Sequence, residues 1–446
     1  MDVLSDMTLE KYILDTSWDD IPEKARERIA GCFTDLMGAL VIGSRSRQCA
    51  AGAKLAESLF PAGDIAVIGS QKRYGFAGAT CVMGHASNAF DIDDGYSLLR
   101  AHPGTSFISG ILAAAYEKKV TYREFLTVLT VAYETTIRDG LALLDYYKFY
   151  HGSGALGPFG IAAGVGRIYG FSREQLRNAL AVAEFNAPLA PGVISVEYPA
   201  MTKDGVPFGA MTGALAIENT LAGFTGNKTL LHLAPAKKYL DTLGRDYEIM
   251  NLYFKPYTCC RWAHPAIEGC ITLMKRHGLN HKQIKKVNVQ TFRQAAVMTK
   301  CVPHETDAAQ YNIGYPTAAA IVHGDVGFKQ VFEDYLDDKD VLDALKKLEF
   351  TVDDEFDALF PAKRFCRVVI ETLDGKVYRS EALEPRGEPK DKVDNVWLSE
   401  KFRRITSPVL TREAQESFLS KALSRDGALT VQEIVDDVNK PENWLI

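Results

Sequence analysis

Amphipathic helical periodicity runs through most of the first 262 residues, and it constrains the fold more than any other feature. Within residues 22–42, apolar side chains recur at steps of three and four residues: Ala25, Ile29, Cys32, Phe33, Leu36, Met37 and Leu40. This spacing places them on one face of a helix that packs on a core. The same period returns many times with very few strand signals, so the pattern predicts a mainly α fold.

The pattern changes after His264, where strand signals begin to alternate with helical ones. Residues 285–292 (KKVNVQTF) alternate apolar and polar side chains, as a half-buried strand does. Farther on, Asp374-Gly375 separates two β-rich runs and predicts a hairpin with a two-residue turn. The polar segment 384–392 contains two prolines and predicts a linker, after which helical periodicity resumes.

These patterns predict a mainly α protein of two domains. A large all-helical domain is built from residues 1–262 and 393–446. A smaller α+β domain, residues 263–392, is inserted between the two helical parts. Clefts between domains are favoured sites for small ligands, so we expect functional residues near this boundary.

Composition and charge exclude several classes of protein. The 51 basic and 57 acidic residues give a net charge of −6 with no long run of like charges, which argues against a nucleic-acid partner. No apolar run is long enough to predict a membrane span, and the acidic N-terminal segment lacks the features of a secretory signal. We therefore expect a cytoplasmic protein without a membrane partner. The 8 cysteines form no C-x-x-C pair, which argues against a zinc site or a redox dithiol.

Residues 151–157, HGSGALG, contain the G-x-G-x-x-G spacing of a dinucleotide-binding loop. Such a loop needs a buried strand before it and a carboxylate about twenty residues after it, and the sequence has neither. The small residues are better explained as the opening of a helix against a closely packed neighbour, or against a ligand held by His151.

A dense polar stretch, residues 90–104 (FDIDDGYSLLRAHPG), contains Asp91, Asp93, Asp94, Arg100 and His102. Three close carboxylates suit Mg²⁺ or Ca²⁺, although their spacing does not match an EF-hand loop. The alternative is a solvated loop with a helix-capping aspartate. The Pro-Gly that follows the histidine predicts a rigid turn, which favours an imidazole aimed at a site.

Two further stretches contain candidate functional residues. Lys203 lies in a glycine-containing turn ahead of a small-residue helix, where a lysine is usually a surface residue. Lys255, Cys260 and His264 lie close together at the predicted domain boundary. A Cys-His nucleophile pair is one interpretation of this stretch, and two residues placed in the core by helical spacing is the other.

Taken in order, these motifs resemble those of the MmgE/PrpD family, whose members include 2-methylcitrate dehydratase, cis-aconitate decarboxylase and iminodisuccinate epimerase. The D-x-D-D segment of that family, which leads to His-Pro, is similar to residues 91–103. Its histidine-initiated helix start resembles residues 151–157, its Thr-Lys turn resembles Thr202-Lys203, and its lysine-to-histidine stretch resembles residues 255–264. The likeness runs almost from end to end.

The resemblance implies an all-helical domain with a smaller α+β lid, a homodimer, and chemistry without a cofactor or metal in the cleft between the domains. The small polycarboxylate substrate would lose a proton next to a carboxylate, with His102 or His151 as the base. The catalytic residues implied are Asp91, His102, His151, Lys203 and Lys255. The substrate-binding residues implied are Arg100, Thr202, Cys260, Arg261 and His264.

The sequence departs from the family at several of these positions. Gly95 replaces a threonine of the dehydratases and decarboxylases, Cys260 replaces a histidine of the decarboxylases, and Asp204-Gly205 follows Lys203 where many relatives have proline. Dehydration of a hydroxy-polycarboxylate is the first expectation, and epimerisation of an iminodisuccinate-like dicarboxylate is the second. A metal enzyme at the aspartate cluster and a catalytically idle carboxylate-binding member are the two alternatives.

Overall fold

The computed structural model describes residues 8–298 and 300–445 and shows a mainly α protein, as the sequence predicts. Its α-helices are α1 (Leu9–Asp15), α2 (Glu23–Gly43), α3 (Arg47–Leu59), α4 (Phe76–Ser87), α5 (Pro103–Glu117), α6 (Tyr122–Tyr147), α7 (Gly157–Ile168), α8 (Arg173–Phe185), α9 (Val193–Glu197), α10 (Val206–Leu221), α11 (His264–His277), α12 (Arg293–Ala296), α13 (Thr306–Gln310), α14 (Gly314–His323), α15 (Phe328–Val331), α16 (Lys339–Leu345), α17 (Asp354–Leu359), α18 (Asn395–Thr406), α19 (Arg412–Ser424) and α20 (Val431–Val438). Its strands are β1 (Ile65–Ala66), β2 (Arg73–Tyr74), β3 (Gly95–Tyr96), β4 (Leu252–Tyr253), β5 (Ile284–Thr291), β6 (Leu348–Val352), β7 (Cys366–Thr372) and β8 (Val377–Arg379).

Helix α2 lies at the centre of the helical part of the protein. It covers the predicted stretch, but from Ile29 to its end every residue is buried, so this half is not amphipathic. Its glycines allow α18 to approach closely, since a Cβ on Gly38 would lie 2.9 Å from Ile405 Cδ1. The C-terminal helix α18 therefore packs directly on an N-terminal helix, far from it in sequence.

A buried ion pair crosses the same contact. The Lys401 ammonium on α18 pairs with the carboxylate of Asp35 on α2, and it also donates to the carbonyl oxygen of Ile92 at 2.6 Å. Both side chains of the ion pair are almost completely buried. Lys401 thereby connects α2, α18 and the aspartate-rich stretch that follows α4.

A four-stranded sheet forms the β part, with the order β6-β5-β7-β8. Strand β5 is parallel to β6 and antiparallel to β7, while β7 and β8 form the predicted hairpin. The turn has three residues rather than the predicted two, because Thr372 N donates to Lys376 O and Gly375 takes a φ of +81°. Helix α16 ends at Leu345, and β6 begins three residues later at Leu348. The predicted domain limits are not tested by this arrangement and stay a prediction.

A short strand pair connects two stretches that are about 150 residues apart. Strand β3 pairs antiparallel with β4, with Gly95 opposite Tyr253. A Cβ on Gly95 would lie 2.2 Å from the Tyr253 ring, so a side chain at this position would push the strands apart. The pairing places the aspartate-rich stretch beside the segment that begins at Lys255. None of the described helices combines the length and apolarity needed to cross a bilayer.

Replacing Lys401 by methionine should strongly destabilise the protein. The substitution leaves the Asp35 carboxylate buried without its partner, which costs about 3–5 kcal/mol. Urea denaturation of both proteins would measure the change in the free energy of unfolding. The control is Lys440→Met, because Lys440 is exposed and pairs with Asp437 at the surface. Equal stability of the two variants would contradict the role assigned to the buried pair.

Candidate functional site

A partly enclosed cavity of about 230 Å³ lies where the helical part meets the sheet part. Its lining includes Asp91, His102, Asp204 and Lys255. It also includes Arg100, Arg261 and Arg364, together with an aromatic pair formed by Trp262 and Phe360. Residues from before and after the sheet segments therefore share one charged cavity.

Two acceptor atoms close to Nδ1 hold the His102 ring in one orientation. Nδ1 lies 2.9 Å from Asp93 Oδ2 and 2.9 Å from the carbonyl oxygen of Asp94, so Nδ1 carries a proton. Nε2 faces the cavity, 3.5 Å from Asp91 Oδ1 and 3.7 Å from Asp204 Oδ2. Burial and the Lys255 ammonium oppose the charged imidazole, but the carboxylates outweigh them and raise the pKa of His102 to about 10. His102 is therefore an imidazolium at neutral pH.

The sequence around His102 explains this fixed geometry. His102 is the N-cap of α5, and Pro103 occupies the first turn of the helix, as the turn predicted from the sequence requires. The Asp94 carboxylate accepts from Gly104 N at 3.1 Å and from the Tyr133 hydroxyl. Asp94 thus binds the backbone at the N-terminus of α5 and positions the histidine through the helix rather than facing the cavity.

Lys255 and Asp91 form a buried ion pair at the cavity wall. Lys255 Nζ lies 2.7 Å from Asp91 Oδ1 and donates to the Asp91 carbonyl oxygen at 2.9 Å. Burial disfavours the ammonium, but the Asp91 and Asp93 carboxylates outweigh it and raise the pKa of Lys255. Lys255 therefore stays charged, and Asp91 is held in a left-handed conformation with a φ of +51°.

Lys203 lies behind this wall and contacts the backbone instead of the cavity. Its ammonium donates to the carbonyl oxygens of Asn88, at 3.1 Å, and Ala89, and to Gln310 Oε1 at 2.7 Å. Lys203 is buried, contrary to the usual surface position of a lysine in a turn. This placement suits a positioning residue for the chain that precedes Asp91, and a direct role in catalysis stays a prediction.

The glycines of residues 151–157 support the turn that carries Asp204. A Cβ on Gly152 would lie 2.7 Å from Asp204 O, and a Cβ on Gly154 would lie 2.2 Å from Gly205 O. Gly154 N also donates to Asp204 O at 2.8 Å. Protein backbone fills the space that a pyrophosphate would need, and a short 3-10 turn leads into α7. The interpretation as a helix start against a close neighbour is confirmed.

The three arginines of the cavity differ in their partners. Arg261 pairs with Glu388, and its guanidinium lies 3.7 Å from the Tyr253 ring centroid. Arg100 lies 5.2 Å from the ring centroid of Tyr150, and the described residues give it no carboxylate partner. Arg364 is only 6% exposed and has neither an ion pair nor a hydrogen bond within the part of the chain described. Burial lowers the pKa of Arg364, as expected of a cation without a counter-charge.

Three other residues proposed from the sequence do not line the cavity. Thr202 is exposed on the turn before Lys203. The imidazole of His151 packs 4.1 Å from the Phe149 ring, and neither of its nitrogens has a hydrogen-bond partner among the described residues. His264 is buried and its Nε2 contacts the carbonyl oxygen of Cys259 at 3.0 Å. Their proposed roles stay predictions.

Cys260 lines the cavity but is not activated as a nucleophile. Burial raises the pKa of its thiol to about 12, so the thiolate is scarce at neutral pH. The imidazole of His264 contacts a backbone carbonyl rather than this thiol. The Cys-His interpretation therefore receives no support from the geometry.

Asp91, Asp93 and His102 offer three donor atoms close enough for one metal ion. These donors already have other contacts, because the Lys255 ammonium occupies Asp91 Oδ1 and His102 donates to Asp93. An ammonium 2.7 Å from a carboxylate oxygen competes directly with a cation at that oxygen. For this reason we do not assign these residues as metal ligands.

Sequence reasoning missed Asp204 and Arg364 as site residues. Asp204 stands where many relatives of the resembled family have proline, and Arg364 is one of several basic residues ahead of a strand. Neither lies in a motif. Only the fold brings them to the cavity.

The fold and this cavity define a mainly α protein with a buried, charged site between helices and a small sheet. Models of two domains match most of the chain: the MmgE/PrpD N-terminal domain matches residues 7–246, and the MmgE/PrpD C-terminal domain matches residues 257–425. The chain therefore belongs to the MmgE/PrpD family.

Two curated relatives match the chain from end to end. The cis-aconitate decarboxylase-like protein oryM of Aspergillus oryzae is 24% identical, over 95% of this chain and 95% of its own length. Cis-aconitate decarboxylase of Aspergillus terreus is 22% identical, over 95% of this chain and 93% of its own length.

Replacing Gly154 by alanine should destabilise the protein and displace Asp204. The new methyl group would overlap the Gly205 carbonyl, and overpacking of this kind costs about 1–3 kcal/mol. The control is Gly327→Ala, because the nearest atoms to a Cβ on Gly327 lie at 3.4 Å. Thermal denaturation would compare the two variants. A Gly154→Ala protein as stable as the control would rule out the close packing described here.

Proposed function

We propose that this chain is a cofactor-independent hydro-lyase. It acts on a small hydroxy-polycarboxylate, such as a citrate or methylcitrate analogue, by removing a proton from a carbon next to a carboxylate. The observation that supports this most is the His102 imidazolium, fixed by Asp93 and facing a cavity that also holds the unpaired Arg364 guanidinium.

The arrangement of charges suits a substrate with more than one carboxylate. Arg100 and Arg364 have no carboxylate partner among the described residues, and both line the cavity. Guanidinium groups bind carboxylates through paired, charge-assisted hydrogen bonds. Removing a proton next to a carboxylate builds negative charge on that group, and fixed cations in a dry cavity stabilise the charge as it develops.

We assign His102 the role of general acid rather than base. A group with a pKa of about 10 is already protonated at neutral pH, so it donates a proton to a leaving hydroxyl. This revises the base role expected from the sequence. In the same site, the positive charge of Lys255 lies on the cavity wall and adds to the stabilisation of an anionic intermediate.

Decarboxylation is the second candidate, and the relatives favour it. The names of both relatives include cis-aconitate decarboxylase, and each match covers 95% of this chain. Loss of carbon dioxide also needs a proton donor, which His102 supplies equally well. The absence of a histidine at Cys260 separates this chain from the decarboxylase pattern and places dehydration first.

Assays with citrate, 2-methylcitrate, cis-aconitate and iminodisuccinate analogues, followed by NMR in deuterated water, would test the proposal. We expect loss of water from a hydroxy-polycarboxylate, or hydration of the unsaturated product in reverse. Carbon dioxide release would favour the second candidate, and exchange with inversion would favour an epimerase. Tight binding without exchange or turnover would identify an idle, carboxylate-binding member.

His102→Gln should lower kcat by about 10²–10⁴-fold, because the variant loses the proton donor. Arg364→Gln should mainly raise KM, by about tenfold or more, since one charge-assisted hydrogen bond to a carboxylate is lost. The matched controls are His304→Gln and Arg47→Gln, whose side chains are exposed. Steady-state kinetics would measure both effects. Unchanged kinetics in the two cavity variants would contradict the assigned site.

We also propose that the protein forms a homodimer through an apolar face on residues 185–224. The exposed large apolar side chains of this segment are Phe185, Leu189, Val193, Ile194, Tyr198, Phe208, Leu215, Leu221 and Phe224. On α10, Phe208 and Leu215 are two helical turns apart and lie on the same outward side. A segment with this many exposed large apolar side chains is typical of a protein interface.

Phe208→Glu should shift the protein from dimer to monomer, because it places a charge in the proposed interface. Analytical ultracentrifugation over a range of concentrations would measure the shift. Val377→Glu serves as the control, since Val377 is equally exposed but lies on the hairpin of the sheet. A wild-type protein that sediments as a monomer at every concentration would end this proposal.

A further inference from the structure

The proposed reaction needs a proton acceptor, and His102 is already protonated. Abstraction of a proton from carbon requires a base that is free, faces the substrate and has a pKa not far from the working pH. Such a base must lie among the titratable side chains that line the cavity, and these do not include His151.

Most of these side chains are unsuitable. The Asp91 carboxylate is bound by the Lys255 ammonium at 2.7 Å. Lys255 itself stays protonated beside Asp91 and Asp93. Burial keeps the Cys260 thiol and the Tyr150 hydroxyl protonated by raising their pKa values, to about 12 for the thiol. Burial raises the pKa of the Tyr311 hydroxyl in the same way.

The lining arginines are cations, and the Arg261 guanidinium lies 3.7 Å from the Tyr253 ring centroid, which makes Tyr253 a poor candidate. Asp204 is the lining carboxylate without an ammonium partner in the described chain, and its geometry is that of a positioned base. Its side chain is 3% exposed and lines the cavity. Oδ2 accepts from Ser153 Oγ at 3.1 Å and lies 3.7 Å from His102 Nε2. Ser153 Oγ in turn accepts from the backbone nitrogen of His102 at 3.0 Å. The Ser153 hydroxyl therefore fixes the position of the Asp204 carboxylate relative to His102.

The turn that carries Asp204 is rigid. Lys203 and Gly205, on either side, have φ values of +41° and +73°, and the Lys203 side chain donates to the Asn88 and Ala89 carbonyl oxygens in the segment before Asp91. The backbones of Gly152 and Gly154 pack against the carbonyl groups of Asp204 and Gly205. No lysine or arginine lies within ion-pairing distance of the Asp204 carboxylate in the described chain, and the cation beside it is the His102 imidazolium, 3.7 Å away.

We propose that Asp204 is the catalytic base of this enzyme. The inference rests on the proposed hydro-lyase function. The Asp204 carboxylate takes the proton from the carbon next to a substrate carboxylate, and the electrons of that C–H bond form the new C=C bond. The C–O bond to the hydroxyl breaks, and the leaving hydroxide takes the proton of His102 Nε2 to become water.

The same geometry restores the resting state. After the reaction, Asp204 is a carboxylic acid and His102 is a neutral imidazole, with Oδ2 and Nε2 3.7 Å apart. A proton that passes from Asp204 to His102 returns both groups to their starting forms without an external reagent. The net reaction is loss of one water molecule from the substrate.

The environment of Asp204 determines the pH dependence. The titratable groups that face it are His102, Asp91, Lys255, Cys260, Tyr150 and Tyr311. Burial raises the pKa of Asp204, the His102 imidazolium opposes this effect, and Asp91 adds to it. The base is active only above its pKa, so kcat/KM should rise with pH on the acid side through ionisation of Asp204. It should fall again as His102 loses its proton near pH 10.

Asp204→Asn, Asp204→Ala and the exposed control Asp64→Asn would be assayed with the polycarboxylate panel across this pH range. We expect Asp204→Asn to lower kcat by about 10²–10⁴-fold and to lose the acid limb of the profile, with the melting temperature retained. Added formate should restore activity to Asp204→Ala by tenfold or more, because it fits the vacated space as a substitute base. Formate should not restore activity to His102→Ala or to Asp204→Asn.

The outcomes separate this inference from the proposed function. A wild-type enzyme that turns over substrate while Asp204→Asn keeps its activity and its acid limb overturns the assignment of the base alone. Activity lost in Asp204→Ala without any response to formate, while the protein stays folded, identifies a structural aspartate and also overturns it. A wild-type protein with neither turnover nor solvent exchange overturns the hydro-lyase function and this inference together.

Discussion

Three buried lysines hold the backbone of residues 88–92, and the site depends on this constraint. Lys203 donates to the carbonyl oxygens of Asn88 and Ala89, Lys255 to that of Asp91, and Lys401 to that of Ile92. The lysines come from three distant parts of the chain. Burying an ammonium is costly unless charges and acceptors compensate it, and here each lysine has both a carboxylate and a carbonyl nearby. These long-range contacts from the three lysines therefore fix the segment that presents Asp91 and Asp93.

This constraint explains how a loop holds the proposed proton donor in a fixed position. Asn88 Nδ2 donates to Asp93 Oδ1 at 2.9 Å, and His102 Nδ1 contacts the other carboxylate oxygen. Burial alone would raise the pKa of Asp93, but His102, Lys255 and Asn88 outweigh burial and lower it. A permanent carboxylate beside Nδ1 keeps His102 charged and leaves Nε2 free toward the cavity. The proposed acid is thus positioned before any substrate enters. A preorganised donor of this kind needs little rearrangement during the reaction, which is the usual source of catalytic power in enclosed sites.

Local patterns in the sequence were sufficient to predict the mainly α fold, the strand at residues 285–292 and the glycine-rich helix start. Each of these depends on neighbours within a few residues, through helical period, strand alternation or small side chains. They were insufficient to predict that Asp204, the proposed base, and Arg364 line the cavity. Asp204 reaches the cavity because Gly152 and Gly154 admit its turn, and Arg364 reaches it from the strand end before β7. Those contacts join segments that are 50 to more than 250 residues apart, so helical or strand periodicity in the sequence does not predict them.

The cavity contains unpaired positive charges, although the whole chain has a net negative charge. The protein carries a net charge of −6, yet within the cavity Lys255 is balanced by Asp91 and Arg261 by Glu388, while Arg100 and Arg364 have no such partner in the described chain. The His102 imidazolium contacts the carboxylates of Asp93 at 2.9 Å and Asp204 at 3.7 Å. The guanidinium groups of Arg100 and Arg364 remain without a carboxylate partner in the described chain, and a low-dielectric wall strengthens their attraction for anions. A single carboxylate would leave one guanidinium desolvated and unpaired, which is costly. The cavity therefore favours ligands with at least two carboxylates over those with one.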